Sequence, residues 1–345
     1  MKRTLFHIGL PKTGTSSIQN FVLHHAGRLR EQGILFPFDP ERQGPAYFGK
    51  GLGQAPQADM MAHFFGLKGK TKPSGIDWQR VFDDFRADPA LTTMIVSHEG
   101  QSVNGHRLRA DAYRAALGCS GGSFLAFLRE PAAWLNSLRV QAMTSWRGVG
   151  RDPARFDPLE RYLEQGFAGM LAPFAALAPV TLRDYDRIAA EDRLIPSFLE
   201  VIGADLLEPE AAAMKRVNAK SFDTAQVLFL HALKADGCET ADFVSVKAAI
   251  IAENRKNPPA RGRNVLPLAA GQAVRARWEQ DRDLLHKQYG ITFADPGPLT
   301  GWPERVRLAR GDADRLRPLL EAPGFAAPLA RRIEAALRRA AAFGD

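Results

Sequence analysis

Thr4-Leu5-Phe6-His7-Ile8-Gly9-Leu10-Pro11-Lys12-Thr13-Gly14-Thr15-Ser16-Ser17 is the stretch around which the chain is organised. A short apolar run ends in a turn bounded by Gly9 and Gly14 that carries Lys12 and a row of hydroxyls. From Ser16 onward Ile18, Phe21, Val22 and Leu29 recur at helical spacing, so the stretch predicts strand, loop, helix. The first N–H groups of a helix lack intrahelical partners and stand at the positive end of its dipole. Glycines on either side let the main chain approach an anion closely, and Lys12 adds a full charge. An oxyanion cradle follows from these features; a Gly-Pro turn that merely launches a helix is the plainer alternative. The spacing departs from a Walker A loop. Gly9-x4-Gly14 is satisfied, but Thr15 stands where that motif requires lysine.

Two further strands extend the pattern. Leu91-Thr92-Thr93-Met94-Ile95-Val96-Ser97-His98-Glu99-Gly100 reads as a buried strand with its polar residues at the C-terminal end. In open parallel sheets the ligand crevice lies beyond such ends, which makes His98 and Glu99 candidates for chemistry. Capping or starting a helix is their alternative duty. Ser97 also stands where a Walker B strand would end in Asp. Later, Phe124-Leu125-Ala126-Phe127-Leu128 runs into Arg129-Glu130-Pro131, and a helix is predicted from Pro131 to about Trp146. Arg129 at the strand end and Ser137 two helical turns on are placed to face one anion; an Arg129–Glu130 pair beside a solvated Ser137 is the alternative.

Pro11-Lys12-Thr13-Gly14-Thr15-Ser16-Ser17 matches, as it stands, the Pro-Lys-x-Gly-[Ser/Thr]-[Ser/Thr] loop of sulfotransferases that use 3′-phosphoadenosine 5′-phosphosulfate (PAPS). The chain resembles that family, in its bacterial and glycan-modifying branches, in a second motif as well: an Arg at a strand end and a Ser eight residues later. The resemblance implies transfer of a sulfuryl group from PAPS to a hydroxyl or amine of an acceptor, with a glycan or glycolipid as candidates and no metal. It assigns Lys12, Thr13, Gly14, Thr15, Ser16 and Ser17 to the 5′-phosphosulfate, with Lys12 meeting the charge on the bridging oxygen. Arg129 and Ser137 are assigned to the 3′-phosphate. Lys215-Arg216-Val217-Asn218-Ala219-Lys220-Ser221 loosely resembles the segment that covers the cofactor, which brings in Arg216 and Lys220; a solvated charge run is the alternative. For the base, Glu serves in several glycan sulfotransferases and His in the cytosolic small-molecule branch, and the loop-first layout here favours Glu99 over His98. Tyr185-Asp186-Arg187-Ile188 departs from the family's Tyr-Glu-Asp-Leu wording and supports the fold rather than a site. Two other readings stand beside this one: a P-loop kinase in which Ser16 ligates Mg²⁺, and a nucleotide- or glycan-binding module without chemistry.

Composition sets the remaining bounds. The 345 residues, 45% hydrophobic and 24% charged, suffice for a full core. A net charge of +8 favours anionic partners, and no nucleic-acid signature accompanies it. Cys119 and Cys238, the two cysteines, are too few for a disulfide framework and suit a reducing compartment. No apolar run approaches transmembrane length, and the short run after Lys2 and Arg3 does not make a signal peptide, so a cytoplasmic protein is expected. The Golgi type of sulfotransferase would carry an anchor ahead of the loop. Residues 37–75 mix aromatic and basic side chains in an irregular stretch where an acceptor insertion would sit. The expected architecture is an α/β, P-loop NTPase-like domain over 1–295, its mostly parallel sheet flanked by helices, followed by a basic helical extension over 296–345. Packing is the default duty of that extension.

Overall fold

The computed structural model describes residues 2–37, 63–66, 78–117, 121–145, 157–205, 222–259, 264–304, 306, 310–320 and 327–342. The chain divides into two compact units, each assembled from separated stretches. The first comprises Met1–Glu130, Gln165–Val217 and Gln280–Asp295; the second comprises Pro131–Glu164, Asn218–Glu279 and Pro296–Asp345.

The first unit holds a five-stranded sheet among the described residues. Its strands are β1 (Arg3–His7), β2 (Ile34–Leu35), β3 (Thr93–Ser97), β4 (Ser123–Leu128) and β5 (Val180–Asp184), all parallel, in the order β2-β3-β1-β4-β5. Strands buried on both faces read as continuous apolar runs, and Leu5, Phe6, Met94, Ile95, Val96 and Phe124 to Leu128 are accordingly buried. From β1 the chain first builds toward β2, returns to lay β3 beside β1, then crosses to β4 on β1's other edge. The order therefore reverses at β1, and the crevice beyond its C-terminal end is the switch point of the sheet. Register staggers the ends: His7 pairs with Ser97 on one side and with Leu125 on the other, so β4 continues past the end of β1.

Three local features shape the connections. Tyr185 and Asp186 do not extend β5; the Asp184 carboxylate accepts the N–H groups of Asp186 (3.0 Å) and Arg187 (3.3 Å) and starts a helix, Tyr185–Ala190. Ser102–Arg107 forms a 3₁₀ turn, followed by the helix Ala110–Leu117. The helix Asp157–Ala175 breaks at Gly166 (φ 63°), after which buried Asp281 accepts the N–H groups of Phe167 (2.6 Å) and Ala168 (2.9 Å). A carboxylate there satisfies donors that the restarted helix leaves over.

In the second unit the helix Thr224–Ala235 is buried along nearly its whole length. Asp223 and Gln226 close it with a reciprocal capping box, and Arg315 pairs with the same Asp223 at 2.6 Å. Leu329, Ile333, Ala336 and Leu337, spaced on one face of the helix Ala327–Ala342, join the apolar cluster that contains Val227, Phe229 and Leu230. The C-terminal extension thus packs into a core, at about 1.5–3 kcal/mol for each fully buried Leu or Ile. Among the described residues no helix is long and apolar enough to cross a membrane.

Candidate functional site

The loop after β1 is built by its own side chains. Thr13 donates its hydroxyl to the Leu10 carbonyl at 2.7 Å, and Thr15 does so at 3.4 Å. Both threonines are buried, and their hydroxyls hold the turn. Ser17 and Ile18 return their N–H groups to Gly14 O at 2.9 and 3.1 Å, which closes the first turn of α1 (Thr15–His24). Gly14 has φ 79°, and a Cβ there would lie 2.3 Å from Leu194 Cδ2. At Gly9 a Cβ would lie 2.3 Å from the Thr15 hydroxyl oxygen. Neither position takes a side chain without a shift of these neighbours.

Lys12 also has positive φ, 70°. A lysine in that conformation costs about 1–3 kcal/mol, and such strain persists only where surrounding contacts enforce it. One contact comes from β3's continuation. His98 donates its N–H to His7 O at 3.1 Å and Gly100 donates to Gly9 O at 2.8 Å, so the two chains stay paired past the strands. Glu99 lies between those bonds, half-buried, and its carboxylate accepts the main-chain N–H of Lys12. Burial raises the Glu99 pKa above the ordinary carboxylate value, while the Lys12 charge and N–H pull it down; burial wins. Lys12 and Glu99 are thereby brought together. The Lys12 N–H is directed to Glu99, and the Ser17 N–H to Gly14 O. His98 is buried.

Beneath the cradle lies a polar network that sequence reasoning missed. His7 Nδ1 is 2.8 Å from Ser97 Oγ, and Gln19 Nε2 donates to Ser97 O at 3.1 Å. All three residues are buried, and the His7 ring packs against Phe127 and Phe198. Complete burial depresses the His7 pKa from 6.5 to about 3, so the ring is neutral. The network ties α1 to the ends of β1 and β3. A histidine inside an otherwise apolar strand was its visible signal.

Arg129 follows β4, four residues beyond the Leu125 that pairs with His7, or ~13 Å along the strand. Its Nε donates to Asp186 Oδ1 at 3.3 Å, and its guanidinium lies 5.8 Å from the centroid of the Tyr185 ring. The Glu130 N–H donates to Asp186 Oδ2 at 2.7 Å. Asp186 thus bonds both the Arg129 side chain and the Glu130 main chain. Ser137 lies half-buried on the helix Pro131–Thr144, in the second unit. Arg216 and Lys220 lie outside the described residues, as does most of the stretch 37–75.

Compared with known protein families, with curated proteins and with solved structures, the chain matches none. The chemistry of the site must be argued from its own groups. At one strand end stand a cation, a Gly-bounded turn and a half-buried carboxylate of raised basicity. At the next stands an arginine held by a carboxylate. The first arrangement suits binding an oxyanion while removing a proton from a neighbouring hydroxyl.

Proposed function

We propose that this protein is a PAPS-dependent sulfotransferase on a P-loop-type fold, acting in a reducing compartment on a hydroxyl or amine acceptor. The observation that carries the reading is the Lys12–Glu99 pair at the switch point of the sheet, within the Pro-Lys-x-Gly-Thr-Ser loop. The amides of Thr13 to Ser16 hold the 5′-phosphosulfate. Glu99 takes the acceptor's proton as its oxygen or nitrogen attacks sulfur; the bond from sulfur to the bridging oxygen breaks, and adenosine 3′,5′-bisphosphate leaves with that electron pair. Lys12 meets the charge that develops on the bridging oxygen. Positioning supplies the rest of the acceleration. Arg129 holds the 3′-phosphate.

Phosphoryl transfer draws on Mg²⁺ to bridge the phosphates, and the position after Gly14 that would hold the P-loop lysine is Thr15. A sulfuryl group carries less charge than a γ-phosphoryl group and is met by Lys12 and the amides alone. Calorimetry in EDTA separates the two readings. Adenosine 3′,5′-bisphosphate is expected to bind the full chain without metal, and Lys12→Ala to weaken PAPS more than the bisphosphate. Binding and turnover of ATP only with Mg²⁺ would replace this reading with that of a P-loop kinase.

A further inference from the structure

Asp186 occupies a place that its own role in the fold does not demand. The helix Tyr185–Ala190 is capped by Asp184, which is buried and holds the Asp186 N–H at 3.0 Å. That bond fixes the Asp186 backbone and leaves its side chain to turn outward. The carboxylate instead reaches across to β4's end, where one oxygen takes the Arg129 Nε and the other takes the Glu130 N–H. A guanidinium beside a peptide N–H is the donor set by which proteins hold phosphate.

The pair is also easy to exchange. The Arg129 contact, 3.3 Å, is longer than the 2.7–2.9 Å of strong charge-assisted bonds, and the Asp186 side chain is 42% exposed, so water is at hand to receive it. Tyr185 supports the guanidinium from its ring face and would stay in place when the carboxylate leaves.

We propose that Arg129 and the Glu130 N–H form an anion receptor that Asp186 fills from within, and that a phosphate group enters by exchanging with this carboxylate. Asp186 sets the affinity of the receptor, because each bound phosphate must release it. That the phosphate is the 3′-phosphate of PAPS rests on the function proposed above; the receptor itself does not.

Calorimetry on the full chain tests this with inorganic phosphate, adenosine 3′,5′-bisphosphate and adenosine 5′-phosphate as probes. Asp186→Asn is expected to bind the bisphosphate and inorganic phosphate about fivefold more tightly than wild type, and adenosine 5′-phosphate equally. The gain should vanish in the Arg129→Ala background. Should Asp186→Asn fail to fold, Asp186→Ser removes the same charge. A folded variant with unchanged or weaker affinity for both 3′-bearing nucleotide and phosphate overturns the inference. If the nucleotide binds wild type tightly yet removing the Asp186 charge gains nothing, the receptor falls and the sulfotransferase reading stands. If neither protein binds nucleotide but the variant gains Arg129-dependent phosphate binding, the receptor stands and the sulfotransferase reading falls.

Discussion

Two strand ends of one sheet each set a cation against a carboxylate, and they differ in what surrounds the pair. At the end of β1 and β3, Glu99 is enclosed: main-chain bonds flank it, the strained Lys12 gives it an N–H, and burial raises its pKa. At the end of β4, Asp186 meets Arg129 at a surface where both side chains keep contact with water. Coulomb attraction is similar in kind at the two places, so desolvation decides the outcome. An enclosed carboxylate is kept basic and poised to accept a proton. An exposed one is a replaceable counter-ion.

The comparison can be broken first at Lys12. Lys12→Ala is expected to lower transfer by ~10²–10³, the size of one preorganised charge contact. More than about a tenth of wild-type turnover at saturating PAPS would remove Lys12 from the reaction. Glu99→Gln should lower turnover by about 10²-fold or more, with a smaller effect from His98→Asn in single-turnover assays. The reverse order would assign the base to His98. Because the Glu99 carboxyl has a raised pKa in the fold, its ionised form is disfavoured there, and stability is lost as pH rises through that pKa. Glu99→Gln should therefore melt above wild type at neutral pH while turning over more slowly.

At the exposed pair, Arg129→Ala should weaken adenosine 3′,5′-bisphosphate by about 30-fold, or about 2 kcal/mol, and leave adenosine 5′-phosphate unchanged. Equal losses for the two would sharpen the contrast differently, by making Arg129 structural. The last prediction concerns stability rather than ligand binding or turnover, at the floor of the cradle. His7 titrates near 3 when folded and near 6.5 when unfolded, so the unfolded chain takes up its proton first as pH falls. Stability present above pH 6.5 is lost between about 6.5 and 3, at up to about 1.4 kcal/mol per pH unit. Thermal melts of wild type and His7→Gln across that range should differ in slope; parallel slopes would mean that His7 is not the buried neutral ring described here.

Much of this was legible because it is local. The apolar runs marked β1, β3 and β4, and the helical spacing after Ser16 marked α1. Glu99 was placed by topology: polar residues ending a buried strand belong at the crevice. What escaped was long-range. Nothing in the neighbourhood of Arg129 announces Asp186, which lies 57 positions away and arrives through β5's register with β4. The capping carboxylate of Asp184, which turns the chain from β5 into a helix, has no mark in the local pattern. The Ser97–His7–Gln19 network likewise joins three segments that no spacing relates. The two units are assembled from interleaved stretches, whereas composition alone suggests a division near residue 295.

The central claim, that the enclosed Lys12–Glu99 pair performs sulfuryl transfer, is tested most directly with labelled PAPS. The full chain is incubated in EDTA with the label and a pool of glycans, lipids and small metabolites, beside Glu99→Gln, and products are identified by mass spectrometry. The expected result is a sulfated acceptor from wild type and at least about 10²-fold less of it from the variant. Equal labelling by both proteins, or no labelled product from a wild type that hydrolyses ATP with Mg²⁺, would contradict it.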